Sequence, residues 1–246
     1  MSGHNKWSTI KRKKGALDAK RSKIFSKIIK EITVAVKESG SDPDANPRLR
    51  LAIANAKGAS MPKENIQRAI SKGSDKDGAS FIECTFEGYA NGGVAIFLEA
   101  TTDNQQRTIS NVRMYFNKFN GNLGTNGSLS FIFDRKGIFT IPQGTLDADE
   151  FEMEMIEAGA EDMQLEDGYY TVTTAMENFG AMMKRLEALK IEPESAQLQR
   201  IPKDTTKLDL ESAKKVMRLI EMFEEDDDIQ AVYHNLEMTD ELMDSM

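Results

Sequence analysis

The stretch Phe81-Ile-Glu-Cys-Thr-Phe-Glu-Gly-Tyr89-Ala-Asn91-Gly92-Gly93-Val94-Ala-Ile-Phe-Leu-Glu-Ala-Thr101 is where the chain changes period. Before it, apolar residues recur every three or four positions, as on one face of a helix. Within it, Phe81–Tyr89 and Val94–Thr101 read as two strands joined across Asn91-Gly92-Gly93. That turn chemistry supplies the positive φ a tight hairpin needs. The chain is therefore helical first and mixed afterwards.

Upstream lie three short amphipathic helices. Phe25, Ile28, Ile29, Ile32 and Val36 mark the first, which should stop near Gly40. Asn46-Pro47 is an N-cap with proline at the first helical position, opening a second helix that carries Leu49, Ala52, Ile53 and Ala56 and ends at Gly58. Met61-Pro62 opens a third, with Ile66, Ala69 and Ile70 inward and Gly73 as its stop. Ser74–Ser80 reads as a linker.

Downstream, Asn104–Phe119 reads as a helix capped by Asp103 or Thr102, and the glycine-rich Gly121–Gly127 as a turn into a strand at Leu129–Phe133. Ile138–Ile141, Ala148–Glu157, Asp162–Leu165, Tyr169–Thr174, Phe179–Leu189 and Gln197–Ile201 then run strand, helix, hairpin, helix, strand. The order βαββαβ is that of a ferredoxin-like two-layer sandwich. Leu208–Phe223 (helix) and Ile229–Tyr233 (strand) have no neighbours of their own and would complete the sheet begun at 81–133. The expected fold class is α+β: an N-terminal three-helix bundle plus two ferredoxin-like α/β two-layer domains, the third inserted in the second. The expected domains are 1–73, 81–135 with 205–240, and 137–203.

Charge divides the same way. Residues 1–72 hold 17 Lys/Arg against 6 Asp/Glu, and residues 73–246 hold 15 against 34, so a net of −8 conceals a basic head on an acidic body. Clustered cations are the footprint of nucleic-acid binding, because phosphates release condensed counterions when Lys and Arg neutralise them. The candidate contacts are Lys6, Trp7, Lys11, Arg12, Lys13, Lys14, Lys20, Arg21, Lys23 and Lys27 in the arm and first helix, and Arg48, Arg50, Lys63 and Arg68 in the next two. Residues 1–23 read as a flexible arm. Trp7 could stack on a base or pack on the bundle; the sequence leaves both open. Arg107, Arg113 and Lys118 form a lesser, secondary contact candidate.

Catalytic constellations are thin. His4 and His234 stand at opposite ends of the chain, and the lone Cys84 rules out an internal disulfide. No metal or cofactor site is evident; Gly121-x-x-Gly124-x-x-Gly127 lacks the Lys-Ser/Thr of a P-loop. The run Glu224-Glu-Asp-Asp-Asp228 reads as a solvated acidic loop. No apolar run reaches the ~20 residues of a membrane helix, and the first residues lack a signal peptide's apolar core. A cytoplasmic, non-enzymatic binding protein is expected. The rival reading is a scaffold whose acidic α/β domains hold a basic protein.

Several ordered segments resemble one known family. They are Trp7-Ser-Thr-Ile-Lys-Arg-Lys-Lys14, Asp18-Ala-Lys-Arg21, Asn46-Pro-Arg-Leu-Arg50, Met61-Pro-Lys-Glu-Asn-Ile66 and Arg68-Ala-Ile70 in the head. In the body they are Phe86-Glu-Gly-Tyr89, Gly92-Gly-Val-Ala95, Thr102-Asp-Asn104 with Arg107-Thr108, Leu123-Gly124, Gly127-Ser128 and Val232-Tyr-His-Asn235. Together these are similar to the YebC/PmpR family, which includes a mitochondrial translational activator of cytochrome oxidase. The resemblance spans nearly the whole chain from Gly3 and implies a bacterial cytosolic member, three domains and no catalysis. It also implies a probable transcriptional regulatory protein that binds promoter DNA, or a translation factor bound to ribosomal or transfer RNA and the ribosome. Asn91 departs from the family's usual proline, and Gln105-Gln106 from a more basic pair, which weakens that loop as a phosphate grip.

Overall fold

The computed structural model describes residues 18–75, 80–144 and 147–245. It is mixed α+β, with eight α-helices and two four-stranded sheets among the described residues. The chain gathers into two compact units. One comprises Ala79–Asp134, Ile201–Met246 and the described residues up to Lys27; the other comprises Ile28–Gly78 and Arg135–Arg200.

The N-terminal helices are α1 (Asp18–Ser39), α2 (Pro47–Gly58) and α3 (Lys63–Ser74). Asn46 is the joint between α1 and α2. Its Oδ1 accepts from Leu49 N at 3.0 Å, which caps α2, while its Nδ2 donates to Ala35 O at 2.7 Å and Gly40 O at 2.8 Å. One buried side chain thus serves orphan groups at the end of one helix and the start of the next. Gly73 does not stop α3 as expected. The helix runs on to Ser74, and Gly73 is buried where a Cβ would lie 2.8 Å from Val36 Cβ. Close helix packing, not termination, is what requires glycine there.

In the first unit, β1 (Ile82–Tyr89) and β2 (Ala95–Thr102) form the expected hairpin, with Tyr89 paired to Ala95. They sit at the centre of a sheet ordered β3-β1-β2-β8, where β3 is Asn122–Leu123 and β8 is Ile229–His234. Helices α4 (Gln105–Lys118) and α7 (Leu210–Glu225) cover one face, burying Val112, Phe116, Ile220 and Phe223 against Phe86, Ile96 and Leu98. A short α8 (Asp240–Asp244) adds Leu242 to this core. At Gly88 a Cβ would stand 2.5 Å from Asn122 O and 2.7 Å from the Phe116 ring, so only glycine admits both β3 and α4 beside β1.

The expected strand at Leu129–Phe133 is corrected by the structure. Residues 128–132 are turns, and a strand begins only at Phe133. Alternation at 129, 131 and 133 imitates a strand, but Leu129 and Phe133 instead plug the other face of the sheet, against Ala95, Phe97 and Tyr233. The bend is held by buried Glu87 on β1. Its carboxylate accepts from Gly127 N at 2.7 Å and from Leu129 N at 2.6 Å. Phe131, between the two plugs, is 67% exposed.

In the second unit, β4 (Phe133–Pro142), α5 (Ala148–Glu157), β5 (Ala160–Glu166), β6 (Tyr169–Ala175), α6 (Phe179–Ala188) and β7 (Ser195–Pro202) follow the expected βαββαβ order. The sheet order is β5-β6-β4-β7, with antiparallel β5–β6 and β6–β4 pairs. Phe139, Ile141, Tyr170 and Val172 meet Phe151 and Met155 of α5 and Met182 and Leu186 of α6. This α/β sandwich falls in sequence between β3 and α7, so it interrupts the first sheet's chain, as the resemblance implies.

Candidate nucleic-acid interface

Of the candidate contacts, Lys6, Trp7, Lys11, Arg12, Lys13 and Lys14 lie outside the described residues, as does the expected flexible arm up to residue 17. Residues 18–23 are helical, because α1 begins at Asp18 and not at the first apolar position, Phe25, which corrects that part of the reading. Lys20 is within α1, but its side chain is not described.

Arg21 is exposed near the start of α1, its guanidinium 5.5 Å from the centroid of the Phe25 ring one turn on. Lys23 and Lys27 have internal partners. Lys23 Nζ donates to Glu225 O at 3.1 Å, and Lys27 Nζ reaches Glu224 O at 3.4 Å. Those carbonyls end α7, where backbone acceptors lack helical donors and the helix dipole is negative. Both lysines therefore complement a helix C-terminus, a role invisible in the pattern of positive charge.

On the bundle, Arg48 Nη1 lies 2.7 Å from Glu38 Oε2 and is partly neutralised by it. Arg50, Lys63 and Arg68 are exposed. Two further cations share their helix faces with these: Lys57 lies seven residues from Arg50, and Lys72 four residues from Arg68; both are exposed. These positions present charge to solvent, whereas Leu49, Ala52, Ala56, Ile66 and Ala69 take the core side.

The secondary candidates divide. The α4 cap is Asn104, not Asp103 or Thr102: its side chain accepts from Arg107 N at 3.0 Å. Arg107 Nη2 is 2.7 Å from both Asp103 Oδ1 and Asp228 Oδ2. Hydrogen bonds to Asp228 and then Asp103 hold its guanidinium still more firmly protonated than usual. Asp228 Oδ2 also accepts from Thr108 Oγ1 at 2.9 Å and Thr102 Oγ1 at 3.1 Å. The charge of Arg107 is thus engaged by a network centred on a buried carboxylate. Arg113 and Lys118 stay on the exposed face of α4, along a shallow depression of about 660 Å³ with Ser110, Met114 and Asn117. A second depression, about 380 Å³, is lined by Lys23 and Lys118 together with Met114, Tyr115, Glu225 and Asp226. Two cations far apart in sequence, Lys23 and Lys118, meet there.

The expected solvated loop at 224–228 is corrected too. Asp226 Oδ2 accepts from Tyr115 OH at 3.1 Å, and Asp228 is the buried anchor just described. Burial first, then the Asp226 charge, pushes the Tyr115 hydroxyl pKa up. Burial, with Asp228 behind it, likewise raises the Cys84 thiol, which disfavours the reactive thiolate. Asn235 has a structural role that its position in the sequence does not announce. Its Oδ1 accepts from Ala95 N at 2.8 Å, and its Nδ2 donates to Thr206 Oγ1 at 3.1 Å. For Asp228 a local signal exists: it immediately precedes the apolar onset of β8, where a solvated loop should already have ended. Among the described residues, no group of three or more His, Cys, Asp or Glu could hold a metal ion. No described helix is long and apolar enough to cross a membrane.

Known proteins resemble this chain in sequence and in fold. A family model described as the TACO1/YebC protein N-terminal domain matches residues 5–76, and one described as the TACO1/YebC second and third domain matches residues 81–236. A "Probable transcriptional regulatory protein" of Amoebophilus asiaticus is 54% identical over 96% of this chain and 98% of its own length. One of the same description from Geotalea uraniireducens is 50% identical over the full length of both. The crystal structure of a conserved hypothetical protein from Aquifex aeolicus superposes with a TM-score of 0.81 at 44% identity, covering 91% of this chain and 93% of that one. The likeness to these relatives runs end to end, through the basic head and the α/β body alike, and the chain belongs to the TACO1/YebC family.

Proposed function

We propose that the chain is a non-enzymatic, cytoplasmic nucleic-acid-binding regulator, acting on transcription through DNA contacts of its basic N-terminal region. The observation that carries this is the exposed cation set Arg50, Lys63 and Arg68 on a head of 17 Lys/Arg against 6 Asp/Glu. Such a set gains affinity by counterion release, whatever the base sequence. The names of the relatives from Amoebophilus and Geotalea support the regulatory part of the reading. Arg113 and Lys118, exposed on α4, are the secondary contacts.

RNA is the second reading, in which the protein serves translation on ribosomal or transfer RNA. The basic helices carry no base-reading pattern of side chains, which favours it, since structured RNA is recognised largely through shape and backbone. Both readings take the same test. Full-length protein is titrated with duplex DNA and with structured RNA at 50 and 200 mM salt. Engagement of about six phosphates lowers affinity on the order of a thousandfold across that range. A flat salt response overturns the electrostatic interface. Crosslinking in cells with sequencing of the bound nucleic acid then decides between promoter sites and ribosomal or transfer RNA.

A further inference from the structure

Helix α5 (Ala148–Glu157) is apolar on two opposite faces. Phe151 and Met155 are buried in the sandwich core. Met153 and Ile156, three residues apart and so on one side of the helix, are 65% and 59% exposed. Single exposed apolar residues are ordinary, but two neighbours on the solvent face of a short helix form a patch.

The segment that carries the patch is acidic. From Asp147 to Asp167 the chain carries ten Asp/Glu and no Lys or Arg. Asp149 and Glu152 are exposed on the same side of α5 as the patch. Arg185 pairs with Glu154 and Glu157, and Lys136 Nζ lies 2.7 Å from Glu161, so these two cations offset part of the charge and the segment stays strongly negative.

We propose that the solvent face of α5 docks a Lys/Arg-rich segment of a partner protein that carries apolar residues between its charges. The apolar side chains would cover Met153 and Ile156, and the cations would face Asp149 and Glu152. Charge selects this occupant. Nucleic acid and anionic membrane are repelled by such a field, and a second α5 packed on the first sets like charges against each other. The surface is independent of the nucleic-acid reading, because it uses none of the basic residues.

The test uses full-length protein and a labelled helical peptide of Lys and Leu, with Leu at three- and four-residue spacing; an all-Lys peptide of equal charge is the control. Binding of the Lys/Leu peptide should weaken about tenfold or more in Met153→Gln/Ile156→Gln, and similarly in Asp149→Asn/Glu152→Gln. Far-UV circular dichroism and the urea midpoint confirm that these surface variants stay folded. Equal affinity of the two peptides would reduce the site to bulk charge and overturn it. So would unchanged binding in both variants. Self-association lost in Met153→Gln/Ile156→Gln would make the occupant a second copy, which also overturns the proposal.

Discussion

Asn55 and Ala196 exchange two hydrogen bonds: Asn55 Nδ2 donates to Ala196 O at 3.1 Å, and Ala196 N donates to Asn55 Oδ1 at 3.0 Å. A helix side chain here does for an edge strand what a neighbouring strand would do, satisfying the donor and the acceptor of one residue. The approach is close. A Cβ on Gly58, one turn on in α2, would fall on Glu194 O. The bundle helix and the inserted sheet are thereby fastened backbone-to-side-chain.

Replacing Asn55 by Ala strands two buried backbone groups and should cost about 1–3 kcal/mol. Asn55→Asp keeps the acceptor, loses the donor and buries a charge, so it should cost more. Urea midpoints of the three proteins order the effects; equal midpoints for wild type and Asn55→Ala would show that the pair contributes nothing.

Glu87→Gln retains one acceptor oxygen where the carboxylate serves both Gly127 N and Leu129 N. Hydrogen exchange at these two amides should accelerate, while that of the β1–β2 hairpin core should not. Loss of the charge-assisted bonds should destabilise the protein by about 1.5–3 kcal/mol. Uniform exchange across the unit would point to global loosening instead.

Asp209 caps α7, accepting from Ser212 N at 3.0 Å, and its pKa is lowered below the ordinary 3.8, chiefly by hydrogen bonds from Ser212. The folded state therefore favours the carboxylate. The resulting stability is fully present above the unfolded value of 3.8 and is lost as pH falls through the depressed folded value. Asn also caps helices but does not titrate. The stability difference between wild type and Asp209→Asn should accordingly be constant near neutrality and shrink in acid. A difference that grows on acidification would reverse the assigned sign.

Arg50→Gln/Arg68→Gln should weaken nucleic-acid binding across all sequences and flatten the salt dependence by about one unit of slope for each phosphate contact removed. Thermal stability should hardly change, because both side chains are exposed. Arg107→Gln should do the opposite, loosening the fold around Asp228 while leaving the salt slope alone. Titrations at several salt concentrations, read beside melting curves, separate the two classes of arginine.

Much of the fold is legible in the sequence. Helix α5 has the bounds its pattern predicts, Asn46 caps α2 as read, and the strands flanking Asn91-Gly92-Gly93 pair as expected. What is not legible depends on distant partners. Leu129 and Phe133 alternate like a strand, yet they plug a sheet face because Glu87, on the far side of β2 and α4 in sequence, takes the backbone donors of the loop. Gly73 resembles a helix stop, yet Val36 is the reason for it. Arg107 and Asp228 look like surface charges until 121 residues of chain bring them within 2.7 Å.

The sequence by itself determined most of the helices and strands, where the basic head gives way to the acidic body, and which cations were available. Local dihedral preference, capping and periodicity act over a few residues, so they are written in neighbouring positions. Only the tertiary structure decided which charges remain for a partner. Lys23 and Lys27 go to the end of α7, Arg48 to Glu38, and Arg107 to Asp103 and Asp228, whereas Arg50, Lys63 and Arg68 stay exposed. The physical reason is that a charge is neutralised by whatever lies within a few ångströms in space, and that distance is set by packing rather than by position along the chain.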